Sequence, residues 1–109
     1  VTCVRVPVLR AHCEAITIEC ERPITEDQVR AWLADAPGVK LVDDRTRNRF
    51  PMPVDASGQD DVLVGRIRQD LSDPSGHSIA MFVAADQLLK GAALNAVQIA
   101  ELLPAPVAA

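Results

Sequence analysis

Tyrosine is missing from these 109 residues, and the aromatic complement is Trp32, Phe50 and Phe82. Three such rings are too few for a base-stacking platform on single-stranded nucleic acid. Positive charge is short as well. Eleven Lys and Arg stand against 15 Asp and Glu, giving a net charge of -4 and a pI near 5.0. Affinity for a phosphate backbone comes from clustered cations, so nucleic acid is excluded as a partner. The longest unbroken apolar run, residues 79–85, falls far below the roughly 20 residues that cross a bilayer. No basic segment followed by an apolar one marks a secretory signal. Cys3, Cys13 and Cys20 are odd in number and form no CxxC, which argues against a disulfide scaffold and for a reducing, cytoplasmic setting.

What remains is ordinary for a folded domain: 49% apolar and 24% charged residues, in a chain long enough for one core. Val1 opens inside a strand-like stretch, so the chain reads as a piece of something longer. Val4, Val6 and Val8 alternate with Arg5 and Pro7, the period of a half-buried strand. Pro7 has no N–H for a ladder, so that strand lies at an edge or ends there. A second alternation sets Ile16, Ile18 and Cys20 against Ala15, Thr17 and Glu19, and the short bend between the two predicts neighbouring strands.

Thr25-Glu26-Asp27-Gln28 is a capping box that starts a helix, with acidic residues at the positive end of its dipole. Val29, Trp32, Leu33 and Ala36 give it one apolar stripe, and Pro37-Gly38 ends it. Residues 39–42 and 62–67 read as strands, and 70–76 as a turn. Residues 43–60 read as a long loop carrying Arg45, Arg47 and Arg49. Residues 78–85 are apolar on both parities, as in a central strand covered on both faces. Asp86 is an N-cap for a last helix running to about Leu103, apolar around most of its girth and therefore in need of a second domain or subunit. Residues 104–109 look like a low-complexity tail.

Several residues invite chemistry. His12 beside Cys13 suggests a nucleophile with its base, but neighbours in extended chain point to opposite faces. Cys3, His12, Cys13, Cys20 and His77 lack the paired spacing of a zinc site, so no metal is expected. Arg5 interrupts a valine strand, and its fork suits a carboxylate. Fully extended chain would put His12 about 23 Å from Arg5, so a shared site needs a bend at Leu9-Arg10-Ala11. The plainer outcome is a solvated arginine and a surface histidine. Arg45, Arg47 and Arg49 are either a solvated loop or an anion-contacting lid. The strip Gln87, Gly91 and Asn95 is either a solvent stripe or an interface, with Gly91 permitting close approach.

Cys3-Val4-Arg5-Val6-Pro7-Val8 (preceded by Val1-Thr2), His12 seven residues after the arginine, and Val64-Gly65-Arg66-Ile67-Arg68 resemble one family. So does the run from Ala84-Ala85-Asp86-Gln87-Leu88-Leu89-Lys90-Gly91-Ala92-Ala93 through Leu94-Asn95-Ala96-Val97-Gln98-Ile99-Ala100-Glu101. Together they are similar, in order and over nearly the whole chain, to the C-terminal part of aspartate-β-semialdehyde dehydrogenases. The resemblance implies an α+β fold, a mixed β-sheet with helices packed on one face, like the C-terminal domain of glyceraldehyde-3-phosphate dehydrogenase-like enzymes. Residues 1–109 would be a fragment of the dimerisation and catalytic domain, with 86–103 the helix that returns to a missing nucleotide-binding domain.

The implied activity is NADP-dependent interconversion of L-aspartyl 4-phosphate and the 4-semialdehyde plus phosphate, through a cysteine thioester. It feeds lysine, methionine and threonine synthesis. By the same resemblance Arg5 grips the substrate carboxylate, His12 is the acid/base, and Gln87 contacts the nicotinamide cofactor; the enzyme is a cytoplasmic homodimer or higher oligomer. Ala11-His12-Cys13 departs from the family's common Gly-His-Ser. The nucleophile and the phosphate-loop glycines have no counterpart in this sequence, so the fragment alone is expected to be inactive and to bind NADP poorly. Rival readings are an N-acetyl-γ-glutamyl-phosphate reductase type of enzyme, or a non-catalytic dimerisation or ligand-binding module.

Overall fold

A computed structural model describes residues 3–103. Val1 and Thr2 of the resemblance motif and the tail 104–109 lie outside the described residues. The elements run β1 (His12–Glu19), α1 (Glu26–Ala34), β2 (Val39–Leu41), α2 (Pro53–Ala56), β3 (Val62–Gln69), β4 (Ser78–Ala85) and α3 (Leu94–Leu102). The strands form one mixed sheet in the order β1-β4-β3-β2, with β2 parallel to β3 and the other pairs antiparallel. This is the α+β, mixed-sheet architecture expected from the resemblance.

Alternation along β3 and β4 sorts side chains onto two faces. Val64, Ile79 and Met81 pack with Ile67, Ile24 and Val29 of α1 into the main core. Leu63 and Ala84 point the other way, into a smaller cluster with Ala11 and Ala56 of α2. Strand β4 is covered as its two-sided apolar pattern requires. The Thr25 box is present in full, with the Gln28 amide donating to Thr25 Oγ1 at 3.3 Å and the Thr25 amide donating to Gln28 Oε1 at 2.9 Å. Gly65 is fixed by space: a Cβ there would stand 1.9 Å from the carbonyl oxygen of Val42. Just beyond it β3 bulges, and Arg66 takes a φ of 51°.

Four expectations are corrected. The valine alternation at Val4, Val6 and Val8 is not a strand; these side chains are exposed, Val4 by 75%, and the Val8 amide donates to the Val6 carbonyl across Pro7. That three-residue turn suits the fixed φ of proline and takes the chain away from any ladder. Trp32 is 64% exposed, so α1 buries only the narrower Val29–Leu33 stripe. The stretch 43–60 is not all loop: Pro53, at the first helical position, starts the short α2. The last helix does not run from Asp86 to Leu103. Lys90, Gly91 and Ala92 are non-helical, with Gly91 at φ 106°, a value that glycine alone adopts without strain, and regular helix begins at Leu94. The radius of gyration is 16.6 Å, against about 13 Å for a compact chain of this length.

Candidate active site

The antiparallel ladder of β1 and β4 ends on the pair His12 and Ala85. Two residues past Ala85 comes Gln87, exposed on the turn that follows β4. Strand register alone therefore brings His12 and Gln87 to one end of the sheet. The chain enters β1 through Ala11, buried and at φ 70°, within the Leu9–Ala11 stretch where a site shared by Arg5 and His12 would need a bend. A non-glycine residue in that region costs roughly 1–2 kcal/mol, so other contacts must hold it. They are at hand. Arg10 Nε lies 2.6 Å from Asp86 Oδ2, and the same oxygen accepts from the Gly58 amide at 2.7 Å. Oδ1 accepts from the Leu88 amide at 3.0 Å. Asp86 thus caps a turn rather than the helix expected to start there, and it also reaches backward to the bend. Burial pushes its carboxyl up; the two amides and the guanidinium outweigh this and hold it below the usual carboxylate value.

Cys13 points to the face opposite His12 and packs against the Ala11, Ala56, Leu63 and Ala84 cluster. Burial raises its thiol pKa, the reverse of what a nucleophile needs. The structure therefore agrees with the separation of the two neighbours. Arg5 sits in the exposed, strandless segment before the bend, and among the described residues it enters no ion pair. Among the described residues no hydrogen bond joins it to His12, so its place in a shared site rests on the resemblance alone. The polar strip is rearranged by the helix break: the Gly91 amide donates to Asn95 Oδ1 at 3.0 Å, and Lys90 Nζ donates to Gln98 Oε1 at 2.8 Å.

The arginine loop goes elsewhere. Arg45 Nη2 binds Glu26 Oε2 at 2.6 Å and the Ile67 carbonyl at 2.7 Å. Arg30 binds Asp43 and Glu26, and Asp43 Oδ1 accepts the Arg66 amide at 2.8 Å. Burial pushes the Glu26 carboxyl up, but the Gln69 amide, Arg30 and Arg45 bring it below its ordinary value. This network borders a cleft of about 350 Å³ lined by Arg49, Phe50 and Arg66 among others, with neither His12 nor Gln87 in it. Arg45 is a strut, not a lid over the candidate site. Among the described residues no group of three His, Cys, Asp or Glu could hold a metal, and no helix is long and apolar enough to cross a membrane.

Sequence pattern marks Asp86 only as a cap; its pairing with Arg10 depends on a partner 76 positions away that pattern cannot supply.

A mixed sheet with a dominant helix on one face and a polar end at the last strand defines a class, and comparison gives it a name. Residues 1–90 match the family model for the semialdehyde dehydrogenase dimerisation domain, and the chain belongs to that family. More particularly, its relatives are aspartate-semialdehyde dehydrogenases. That of Synechocystis sp. is 62% identical over 102 residues, covering 94% of this chain and 30% of the relative. That of Aquifex aeolicus is 50% identical over 102 residues, again 94% of this chain and 29% of the relative. Among solved structures, aspartate semialdehyde dehydrogenase II of Vibrio cholerae, complexed with ASA, superposes with a TM-score of 0.85 at 48% identity, covering 94% of this chain and 29% of that one. The chain thus spans about 30% of the length of these relatives and corresponds to their C-terminal part.

Proposed function

We propose that this chain supplies the substrate-carboxylate and acid/base side of an NADP-dependent aspartate-semialdehyde dehydrogenase, which interconverts L-aspartyl 4-phosphate and L-aspartate 4-semialdehyde plus phosphate. The observation that carries the reading is the β1–β4 register, which sets His12 against Ala85 and hence beside the turn of Gln87. Arg5 offers two parallel N–H donors to a carboxylate, a match that a lysine does not reproduce. His12, exposed at the strand end, can take and return a proton at a ring nitrogen, as the departing phosphate and the forming carbonyl require.

For NADP the fit is partial. Gln87 presents an amide that both donates and accepts, the complement of a nicotinamide carboxamide. A glycine-rich turn that would cradle a pyrophosphate is not among the described residues. Bound NADPH supplies the hydride; the residues here orient substrate and move its proton. The working form is a cytoplasmic homodimer, in keeping with a dimerisation domain, and 86–103 is the segment that meets the nucleotide-binding part.

The test is made in the full-length enzyme. His12→Asn keeps a polar side chain but cannot cycle a proton, and turnover should fall about 10²–10⁴-fold with little change in KM. Arg5→Lys keeps charge and loses the fork, so its effect should fall on KM for the semialdehyde. Full turnover in His12→Asn refutes the assignment.

A further inference from the structure

We infer that the Arg10–Asp86 ion pair is the positioning clamp of this site, holding the Ala11 bend so that His12 and Gln87 face one ligand. The inference rests on the proposed function and adds two residues to it. Asp86 is fully buried, and its carboxylate accepts from three donors on three segments: Arg10 before β1, Gly58 after α2, and Leu88 in the turn after β4. Its own carbonyl accepts the amides of Leu89 and Lys90 at 3.0 and 2.9 Å, so Gln87 lies between anchored neighbours.

Capping the turn accounts for Leu88 alone. A serine or asparagine would do that much. What needs a charged carboxylate is the simultaneous hold on a guanidinium and two amides, since an amide side chain has one oxygen and would turn N–H groups toward N–H groups. The location is also informative. His12–Ala85 is the last pair of the ladder, and the next residues on either strand are Ala11 and Asp86. The end of a ladder frays unless tied. The pair ties it one step beyond the histidine, and it holds a backbone angle that Ala11 would leave if released.

Arg10 is the residue to test, because its side chain is 42% exposed and its loss leaves the core intact. In the full-length enzyme Arg10→Gln should lower kcat about tenfold to a hundredfold, the scale of a misplaced catalytic group, with KM for the semialdehyde within about threefold and the melting temperature lowered, since the buried Asp86 carboxylate loses its cation. Arg10→Lys should recover part of the loss. The decisive measurement is the double variant. If Arg10 acts mainly through His12, Arg10→Gln costs far less in a His12→Asn background than in the parent, the remainder being what it exerts through Gln87. Equal losses in both backgrounds, or Arg10→Gln at full kcat while His12→Asn is impaired, overturn the clamp and leave the site standing. Full activity of His12→Asn overturns the site itself, so the two failures are told apart. Asp86→Asn, if it folds, should behave as Arg10→Gln with a lowered melting temperature; a lowered melting temperature at full kcat counts against the clamp.

Discussion

The two ends of this sheet solve opposite problems. At the α1 end, Glu26, Arg30, Asp43 and Arg45 satisfy one another and the peptide groups of Ile67 and Arg66, and the bulge in β3 is closed by its own chain. At the β1–β4 end, His12 and Gln87 are exposed, Arg5 is exposed in the segment before β1, and α3 carries Ile99 and Leu102 in the open. One end is finished with groups it holds internally; the other presents groups that something else must meet. Internal pairing is what a support needs, and unmet polar groups on a tied backbone are what a site needs. The Arg10–Asp86 pair lies at the boundary, spending internal contacts on the backbone that carries the open groups.

The contrast breaks most readily at Gly65. Its would-be Cβ overlaps the Val42 carbonyl and lies 2.7 Å from Pro51 Cδ, with no flexible side chain to yield. Gly65→Ala should cost more than about 3 kcal/mol, the overpacked end of core substitutions, and should appear as loss of soluble folded protein or a large drop in urea midpoint. A variant as stable as the parent would mean that the closed end is far softer than its geometry. Asp43→Asn comes next. Asp43 is nearly buried and holds Arg30 and the Arg66 amide with separate oxygens. Removing the charge from such a pair costs about 3–5 kcal/mol when both partners are buried. Arg30 is partly exposed, so about 2 kcal/mol is expected after screening. Urea unfolding measures it, and the Arg5 and His12 kinetics should stay as in the parent.

Legibility in the sequence followed the range of the interaction. The Thr25–Gln28 box and the two-sided apolar run of β4 are local, and each is readable. The valines at Val4, Val6 and Val8 carry the right period, but a strand also requires a partner, and the turn across Pro7 offers none. In the sequence Gly91 is a gap in a polar stripe, whereas in the structure its backbone is the break itself. The spacing of Trp32 suits the core, yet of the α1 stripe Val29 and Leu33 pack against the sheet while Trp32 stays 64% exposed. The roles of Arg5, His12 and Gln87 came from family resemblance, and spacing could not have placed His12 and Gln87 together, since that follows from which strands pair and in what register. The Arg10–Asp86 contact is of the same kind.

The smallest effect on stability belongs to the open end. Ile99 and Leu102, spaced i and i+3 on α3, are 60% and 84% exposed. No residue of that helix is buried. Replacing both with lysine keeps good helix formers and removes apolar surface from water, so each change should move folding stability by no more than about 0.5 kcal/mol. Association is another matter. The stripe is bare among the described residues, and bare apolar patches on a dimerisation domain drive contact. Sedimentation velocity over a range of concentrations should show the parent chain as dimers or larger species. The Ile99→Lys, Leu102→Lys chain should stop at the dimer expected of a dimerisation domain, with the larger species gone. If the double variant instead unfolds, α3 is a structural part of this domain and the two ends are less different than their exposure indicates. If its species distribution matches the parent, the stripe is inert, and the cover for α3 must be sought on its other faces.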